Sequence, residues 1–320
     1  MHRLTAHIKA VALLLVGLSI LFAGCGGSGK EDSSKDEAGT VQPLKIGAMP
    51  SMDILPFLVA QKIGVYDSLG LNLEVVKFYS ANDRDAALQS GNVDGTVIDY
   101  TGAMMQQAAG IPLRLVMKLD GYFHMIARPD FEGEDIAALK GTKIGVSSNT
   151  VVEYATDMML RRAGLSDKDV TKVEVNKIPL RMEMLRGGKI DASVLPDPFI
   201  TITAADGMHT LASTREMGIR VTGLILSTQA VDEKKEAARL LLQGYDLGVD
   251  YILSHPVSDI REILEKDLGF PPELSGQVAL PKYTHKEKPA QADLDATLDW
   301  LLSKGLVPES YKADSLLADL

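Results

Sequence analysis

Apolar and polar positions along this chain change in short bursts rather than long uniform runs. Compact apolar stretches that predict strands fall at Leu44–Ala48, Leu73–Phe78, Thr96–Ile98 and Leu113–Lys118, then at Lys143–Val146, Val173–Asn176 and Ala192–Leu195. Between them, the helical candidates are Ile54–Lys62, Arg84–Gln89, Gly102–Ala109, Val151–Ala163 and Arg181–Arg186, with apolar positions returning at helical spacing. Short strands alternating with helices predict βαβ units and largely parallel sheets, hence an α/β fold. The last part of the chain reads differently. Ala238, Leu241, Leu242, Tyr245, Val249, Ile252 and Leu253 recur at helical spacing, and further helices are expected over Val257–Leu268 and Asp293–Ser303. With no second strand pattern of its own, this tail is expected to pack on the first α/β unit.

The α/β part is written twice. Leu88–Asp99 (LQSGNVDGTVID) is echoed by Leu185–Asp197 (LRGGKIDASVLPD), so that Leu88, Gly91, Asp94 and Thr96 match Leu185, Gly188, Asp191 and Ser193 at an offset of 97 residues. Upstream, Lys45-Ile46-Gly47 matches Lys143-Ile144-Gly145 at an offset of 98. Solenoid repeats run about 20 to 50 residues, so this period is instead that of a small α/β lobe. Two such lobes in one chain leave a cleft between them.

Composition narrows the function. At roughly 150 residues per domain, the 320 residues allow two domains, and 46 % hydrophobic with 24 % charged residues is ordinary for a folded chain. The formal charge of −10 disfavours nucleic acid, whose phosphates need clustered Lys and Arg. The one cysteine, Cys25, supports neither a disulfide framework nor a cysteine-rich zinc site.

The N-terminus reads as an address. Arg3 and Lys9 precede Ala10–Ala23, an apolar run of 14 residues. A membrane span needs about 20 such residues, whereas a signal-peptide core needs about 7 to 15. The run ends in Leu21-Phe22-Ala23-Gly24-Cys25, which resembles a bacterial lipobox, although Phe22 stands where Leu is commonest. Residues 1–24 are therefore expected to be a lipoprotein signal peptide, with Cys25 the lipidated residue. Residues 25–42, rich in Gly, Ser and charge, are expected to form a flexible tether to a body outside the cytoplasmic membrane. Gly24–Lys30 mimics a phosphate-binding loop, but it lacks a preceding strand and has Glu31 where Ser or Thr is required.

Taken together, the opening IGAMPSMDILPFLVAQKIGVYDSLGLNLEVV, the segment SANDRDAALQSGNVDG, its copy LRGGKIDASVLPDP and the helical tail resemble the extracytoplasmic solute-binding proteins of ABC importers. Within these, they look most like the branch of sulfonate, taurine, nitrate and thiamine-pyrimidine binders. The resemblance covers nearly all of residues 44–310. It implies a two-lobe, type II periplasmic-binding-protein clamshell with the helical tail on lobe one. Residues 43–127 and 225–320 would form lobe one and residues 128–224 lobe two, with crossovers near Ile126–Pro129 and Gly223–Ser227. It further implies a monomer without cofactor or metal, which hands a small solute to permease and ATPase subunits.

In open α/β sheets, ligands sit beyond the carboxyl ends of strands, against helix N-termini. That rule selects Met52 and Asp53 after the first strand, Tyr79, Ser80 and Asn82 after the second, and Asp99 and Tyr100 after the third. In the second copy it selects Ser147, Ser148, Asn149, Thr150 and Asp197, with Tyr122 before the first crossover. The Ser147–Thr150 loop offers hydroxyls and backbone N–H groups to an anion, while Thr150 and Glu153 also have the spacing of a capping box. Tyr79, Tyr100 and Tyr122 are placed to stack on a flat solute. Asp99 and Asp197 are repeat equivalents, for which a shared helix-capping job is favoured over ligand contact. Arg84 is expected to pair with a neighbouring carboxylate. Sulfonate-like anions and amino-bearing heterocycles both remain open as solutes.

An enzyme is disfavoured. None of His124, His209, His255 and His285 forms a metal-binding or nucleophile motif, and Asn149 breaks the G-x-S-x-G elbow. Relatives of this fold include enzymes of pyrimidine and menaquinone synthesis, but the cysteine-rich signature of the former is missing. A membrane-tethered sensor on the same clamshell is the other alternative.

Overall fold

The computed structural model describes residues 41–318 and 320, which lie in one compact unit. The expected signal peptide, Cys25 and all but the last two residues of the expected tether lie outside the described residues. In chain order the strands are β1 (Leu44–Ala48), β2 (Leu73–Lys77), β3 (Gly95–Asp99), β4 (Leu113–Lys118), β5 (Phe123–Ala127), β6 (Lys143–Val146), β7 (Thr171–Glu174), β8 (Ala192–Pro196), β9 (His209–Ser213) and β10 (Thr222–Ser227). The helices are α1 (Leu55–Lys62), α2 (Val65–Ser68), α3 (Ala81–Gln89), α4 (Tyr100–Ala108), α5 (Val151–Arg162), α6 (Ile178–Arg186), α7 (Phe199–Ala205), α8 (Thr228–Glu233), α9 (Lys235–Ser254), α10 (Arg261–Lys266) and α11 (Gln291–Ser303).

Two five-stranded sheets have matching orders, β2-β1-β3-β10-β4 and β7-β6-β8-β5-β9. In each, three parallel strands are followed by one that runs antiparallel to both its neighbours. The antiparallel member is the strand that has just arrived from the other sheet. The register repeats as well, with Gly47 opposite Thr96 and Gly145 opposite Ser193. Neighbouring side chains crowd both glycines. A Cβ on Gly47 would stand 3.1 Å from Thr96 Cγ2, and one on Gly145 would stand 2.5 Å from Ile190 Cδ1.

The chain changes sheet between Lys118 and Phe123 and again between Ser213 and Thr222. Both crossovers come a few residues earlier than expected, so residues 123–127 pair in the second sheet and residues 222–224 in the first. The reason is visible in the sequence pattern. The apolar stretch from Leu113 to Ala127 is nearly continuous on either side of Asp120-Gly121, and periodicity does not say which sheet each half joins. The same limit hid β5, β9 and β10 as strands.

Helix starts follow their polar residues. Ser80 caps α3 through Asp83 N (3.2 Å), Asp99 caps α4 through Gly102 N (2.8 Å) and Ser227 caps α8 through Ala230 N (3.1 Å). In the tail, α9 lies against α1 and α2 in the first lobe, where Phe57 meets Tyr245 at 4.9 Å and the Tyr66 hydroxyl donates to Leu241 O. Helix α11 packs on α4 but also reaches the second lobe. Trp300 Nε1 donates to Asp157 of α5 at 2.9 Å, and its ring meets Tyr154 edge-on at 5.4 Å. One apolar cluster therefore runs through α4, α5 and α11, joining the lobes beside the cleft.

Candidate functional site

A cleft with about 620 Å³ of empty space, its open mouth included, lies between the two sheets at the carboxyl ends of β1, β3, β6 and β8. From lobe one, its walls are Met49, Pro50, Ser51 and Asp53 after β1, Arg84 on α3, and the end of β3 through Asp99. From lobe two come Ser147 and Thr150 after β6, Asn176 and Arg181 around the start of α6, and Phe123 and Pro196. Thr222, the first residue of β10, closes the floor near the second crossover.

Asp53 lies at the junction of both crossovers. Its carboxylate accepts from Thr222 Oγ1 at 2.9 Å, from Ser51 Oγ at 3.2 Å and from the backbone N–H of Gly121. Burial pushes its carboxyl up to about 6, against the pull of those three hydrogen bonds. Asp99 is held by Thr101 Oγ1 and Gly102 N. Asp197 accepts from Thr201 N at 2.9 Å in the first turn of α7 and from the Tyr122 hydroxyl at 2.7 Å. Both repeat-equivalent aspartates thus serve the helix that follows them.

Two arginines line the cleft, one from each lobe, and both are buried. Arg84 is neutralised by its neighbour Asp85, with Nε at 2.8 Å and Nη2 at 2.7 Å from one carboxylate oxygen, as expected. Arg181 donates from Nη1 to Val175 O at 2.8 Å, while its Nε has no hydrogen-bond partner among the described residues. Burial pushes its guanidinium down to about 10, with Glu174 opposing, so it stays charged near neutral pH.

Of the residues selected from sequence, Asp53, Asp99, Ser147 and Thr150 share this cleft. The others stand elsewhere. Met52 is buried in the lobe-one core, its carbonyl accepting from the Tyr283 hydroxyl, and Ser80 is the buried cap of α3. Asn82, Ser148 and Asn149 are exposed and outside the lining. The backbone N–H groups of the serine loop are also largely taken, Ser148 N by Glu174 and Asn149 N by Glu153 at 2.8 Å. Thr150 caps α5 through Val152 N, but Glu153 reaches Asn149 rather than Thr150, so the reciprocal capping box does not form. None of the three tyrosines lines the cleft. Tyr79 is 54 % exposed in an adjoining groove lined by Pro50 and Lys77 of lobe one and by Pro198, Phe199 and Ile202 of lobe two, Tyr100 is fully buried, and Tyr122 is covered by the Arg215 guanidinium at 3.9 Å.

Sequence reasoning passed over Arg181, Asn176 and Thr222. For Arg181 a signal existed, because the repeat offset of 97 carries Arg84 onto it. Among the described residues, no group of three or more His, Cys, Asp or Glu is arranged to hold a metal ion.

The comparison with protein families decides the grouping: the NMT1/THI5 like family matches residues 51–258, more than half of the chain. The chain belongs to this family. A Brachyspira hyodysenteriae protein named as a candidate periplasmic binding protein of an ABC transporter is 24 % identical over 274 residues, 79 % of this chain and 76 % of that protein. The yeast (Saccharomyces cerevisiae) 4-amino-5-hydroxymethyl-2-methylpyrimidine phosphate synthase THI5 is 23 % identical over 250 residues, 72 % of this chain and 71 % of that enzyme. Among solved structures, the alkanesulfonate-binding protein SsuA of Xanthomonas axonopodis pv. citri, bound to MOPS, superposes with a TM-score of 0.72 at 19 % identity, covering 85 % of this chain and 96 % of that one. That likeness shows a shared periplasmic-binding-protein fold in this NMT1/THI5-like chain.

Proposed function

We propose that this chain is the solute-binding subunit of an ABC importer. It works outside the cytoplasmic membrane as a monomer, held there by lipid on Cys25, and captures a small organic solute between its lobes for delivery to a permease. The observation that carries this reading is the cleft itself. It is built from strand ends of both sheets, it is crossed by two connections near Asp53, and each lobe contributes a buried arginine to its wall. Binding would favour a closed arrangement in which both lobes desolvate the solute, and closure is the population shift that a permease can read. Residues 119–122 and 214–221 are the proposed hinges.

The test is a melting-shift screen of sulfonates, pyrimidines, amino acids and nitrate. A solute at about 100-fold excess over Kd adds about 2.7 kcal/mol to stability. Failure of every class to raise the midpoint would remove the reading's main support. Cys25→Ser is expected to release the protein from membranes, and membrane retention of that variant would contradict the anchor. The similarity to the yeast synthase favours an enzyme as the second reading, and formation of a pyrimidine phosphate by the purified chain would establish it. Co-purification with a receptor in place of permease and ATPase subunits would instead favour a tethered sensor.

A further inference from the structure

The internal duplication supplies a comparison that a single lobe could not. Arg84 is the fourth residue of α3, and Arg181 is the fourth residue of α6 at the repeat offset. Both are buried, at 1 % and 2 % exposure, and both face the same cleft from opposite walls. Their next residues differ. Asp85 follows Arg84 and binds its guanidinium, whereas the equivalent position after Arg181 is Met182, which carries no charge.

Arg181 therefore keeps a full charge with one carbonyl partner, an unpartnered Nε and no ion pair among the described residues. Glu174 is the carboxylate whose field reaches it, and that group is already engaged by Ser148 N and Oγ. The two cleft aspartates across from it are likewise occupied, Asp53 by Thr222 and Ser51, Asp99 by Thr101 and Gly102. A buried guanidinium without its counter-charge is costly, and it becomes favourable when a ligand supplies the missing anion. Its planar fork matches an oxyanion. On the same wall the hydroxyl protons of Ser147 and Thr150 are already given to Asn176 Oδ1 and Ser147 O, which leaves the guanidinium as a donor with an unused N–H.

We propose that the solute carries an oxyanion group (carboxylate, sulfonate or phosphate) and that Arg181 receives it on the lobe-two wall, while Arg84, neutralised by Asp85, shapes the opposite wall. This inference rests on the solute-binding reading above. It turns the choice between an anion and a neutral heterocycle into a question about one side chain, and it admits a heterocycle only as an acidic ester.

The experiment uses matched probes that differ in the anion: pentanesulfonate against pentanol, glutarate against glutaramide, and 4-amino-5-hydroxymethyl-2-methylpyrimidine phosphate against its free alcohol. Melting shifts and titration calorimetry are measured on the wild-type chain, Arg181→Gln and Arg181→Lys. At least one anion is expected to bind while its neutral partner does not, and the sulfonate, carboxylate and phosphate arms identify which oxyanion is taken. Arg181→Gln is expected to weaken that anion by about ten- to hundredfold, with a ligand-free midpoint equal to or above wild type. Arg181→Lys, which keeps charge but loses the fork, is expected to fall between the two. Equal binding of a neutral partner, or wild-type affinity in Arg181→Gln, overturns the assignment of Arg181 and leaves the solute-binding reading standing. Should Arg181→Gln fail to fold, wild-type affinity in Arg181→Lys overturns the fork-to-oxyanion match. Silence of every probe on the wild-type chain overturns the solute-binding reading, and this inference falls with it.

Discussion

Asp94 and Asp191 stand 97 residues apart and hold equivalent pairs of partners in different sheets. Asp94 accepts from Lys45 N at 2.8 Å and meets Lys234 Nζ at 2.8 Å; Asp191 accepts from Lys143 N at 2.8 Å and meets Arg128 Nε at 2.9 Å. Each carboxylate, placed just before β3 or β8, ties that strand to the start of its parallel neighbour. A basic residue beyond the end of the incoming antiparallel strand or its helix completes the knot. The duplication thus preserves a polar fastening as well as an apolar pattern.

If the fastenings are equivalent, their removal should have similar effects. Asp94→Ala and Asp191→Ala are each expected to lower stability by about 1–2 kcal/mol, the scale of a charge-assisted hydrogen bond that is partly solvated. Asn at either position keeps an acceptor for the strand N–H and should lose less. Urea denaturation of the four variants checks this, and a silent alanine at one position would show that the two knots share geometry without sharing energy.

Trp300 offers a second test, because it fastens the C-terminal helix of the tail to lobe two. Its partner Asp157 is also held by Lys172 at 2.6 Å and Lys304 at 2.8 Å. Trp300→Phe keeps an apolar ring but removes the indole donor, and Asp157 retains both lysines. A loss of about 1–2 kcal/mol is expected. Trp300→Ala also opens a cavity beside Tyr154, and a loss of about 3–5 kcal/mol is expected. Hydrogen exchange in α5 should accelerate in the alanine variant, since α11 would no longer clamp that helix. Unchanged protection of α5 would show that the clamp holds without the indole.

Much of this architecture could be read from the chain. β1, β4 and β6 have the bounds their apolar runs predicted, and the copied segments after α3 and α6 announced two similar units. Capping of α4 by Asp99 followed from the repeat, while its equivalent Asp197 bonds Thr201 N in the first turn of α7 without being that helix's cap. What pattern could not carry was membership and direction. Nothing in the alternation of β5 or β10 says that the strand leaves one sheet to run antiparallel in the other, because that choice is made by long-range pairing. Side-chain placement failed for a related reason. Tyr79, Tyr100 and Tyr122 all sit at or near strand ends, yet one lies in a groove beside the cleft, one fills the core and one is spent on Asp197 and Arg215. Arg181 was overlooked because a single arginine inside a helix looks like surface charge until the repeat is followed through to it.

Gly121 lies in the first crossover, where its backbone touches the Asp53 carboxylate. A Cβ there would stand 2.1 Å from Asp53 Oδ1 and 2.3 Å from Cγ, closer than any real contact. Gly121→Ala must therefore push Asp53 away from Thr222 or shift the crossover. A destabilisation of about 1–3 kcal/mol is expected, together with weaker solute binding, because Asp53 lines the cleft. A variant with wild-type melting and binding would show that the crossover yields freely at this point.

Asp53 also gives stability a signature in pH. Burial raises its carboxyl from 3.8 to about 6, with nearby Asp120 pushing the same way and Thr222, Gly121 and Ser51 opposing. Between those values the folded chain holds a proton that the unfolded chain has released. Stability contributed by this group is therefore present below about pH 4 and is lost as pH rises through 6, by about 3 kcal/mol at most. Asp167 works in the opposite sense. Burial opposes its ionisation, but hydrogen bonds from Lys304 and Lys172, with the charge of Lys172, outweigh that and depress its carboxyl, so its contribution is lost as pH falls below its unfolded value. The two effects occupy different ranges. Asp85, raised by burial, has the same sign as Asp53, so the informative quantity is the difference between wild type and Asp53→Asn. Asparagine keeps an oxygen for Thr222 but does not titrate. Relative to the variant, wild type is expected to lose stability between pH 4 and pH 6 and to run parallel above about pH 7. Urea midpoints across that range measure the difference, and curves parallel throughout would mean that Asp53 titrates like an ordinary exposed aspartate.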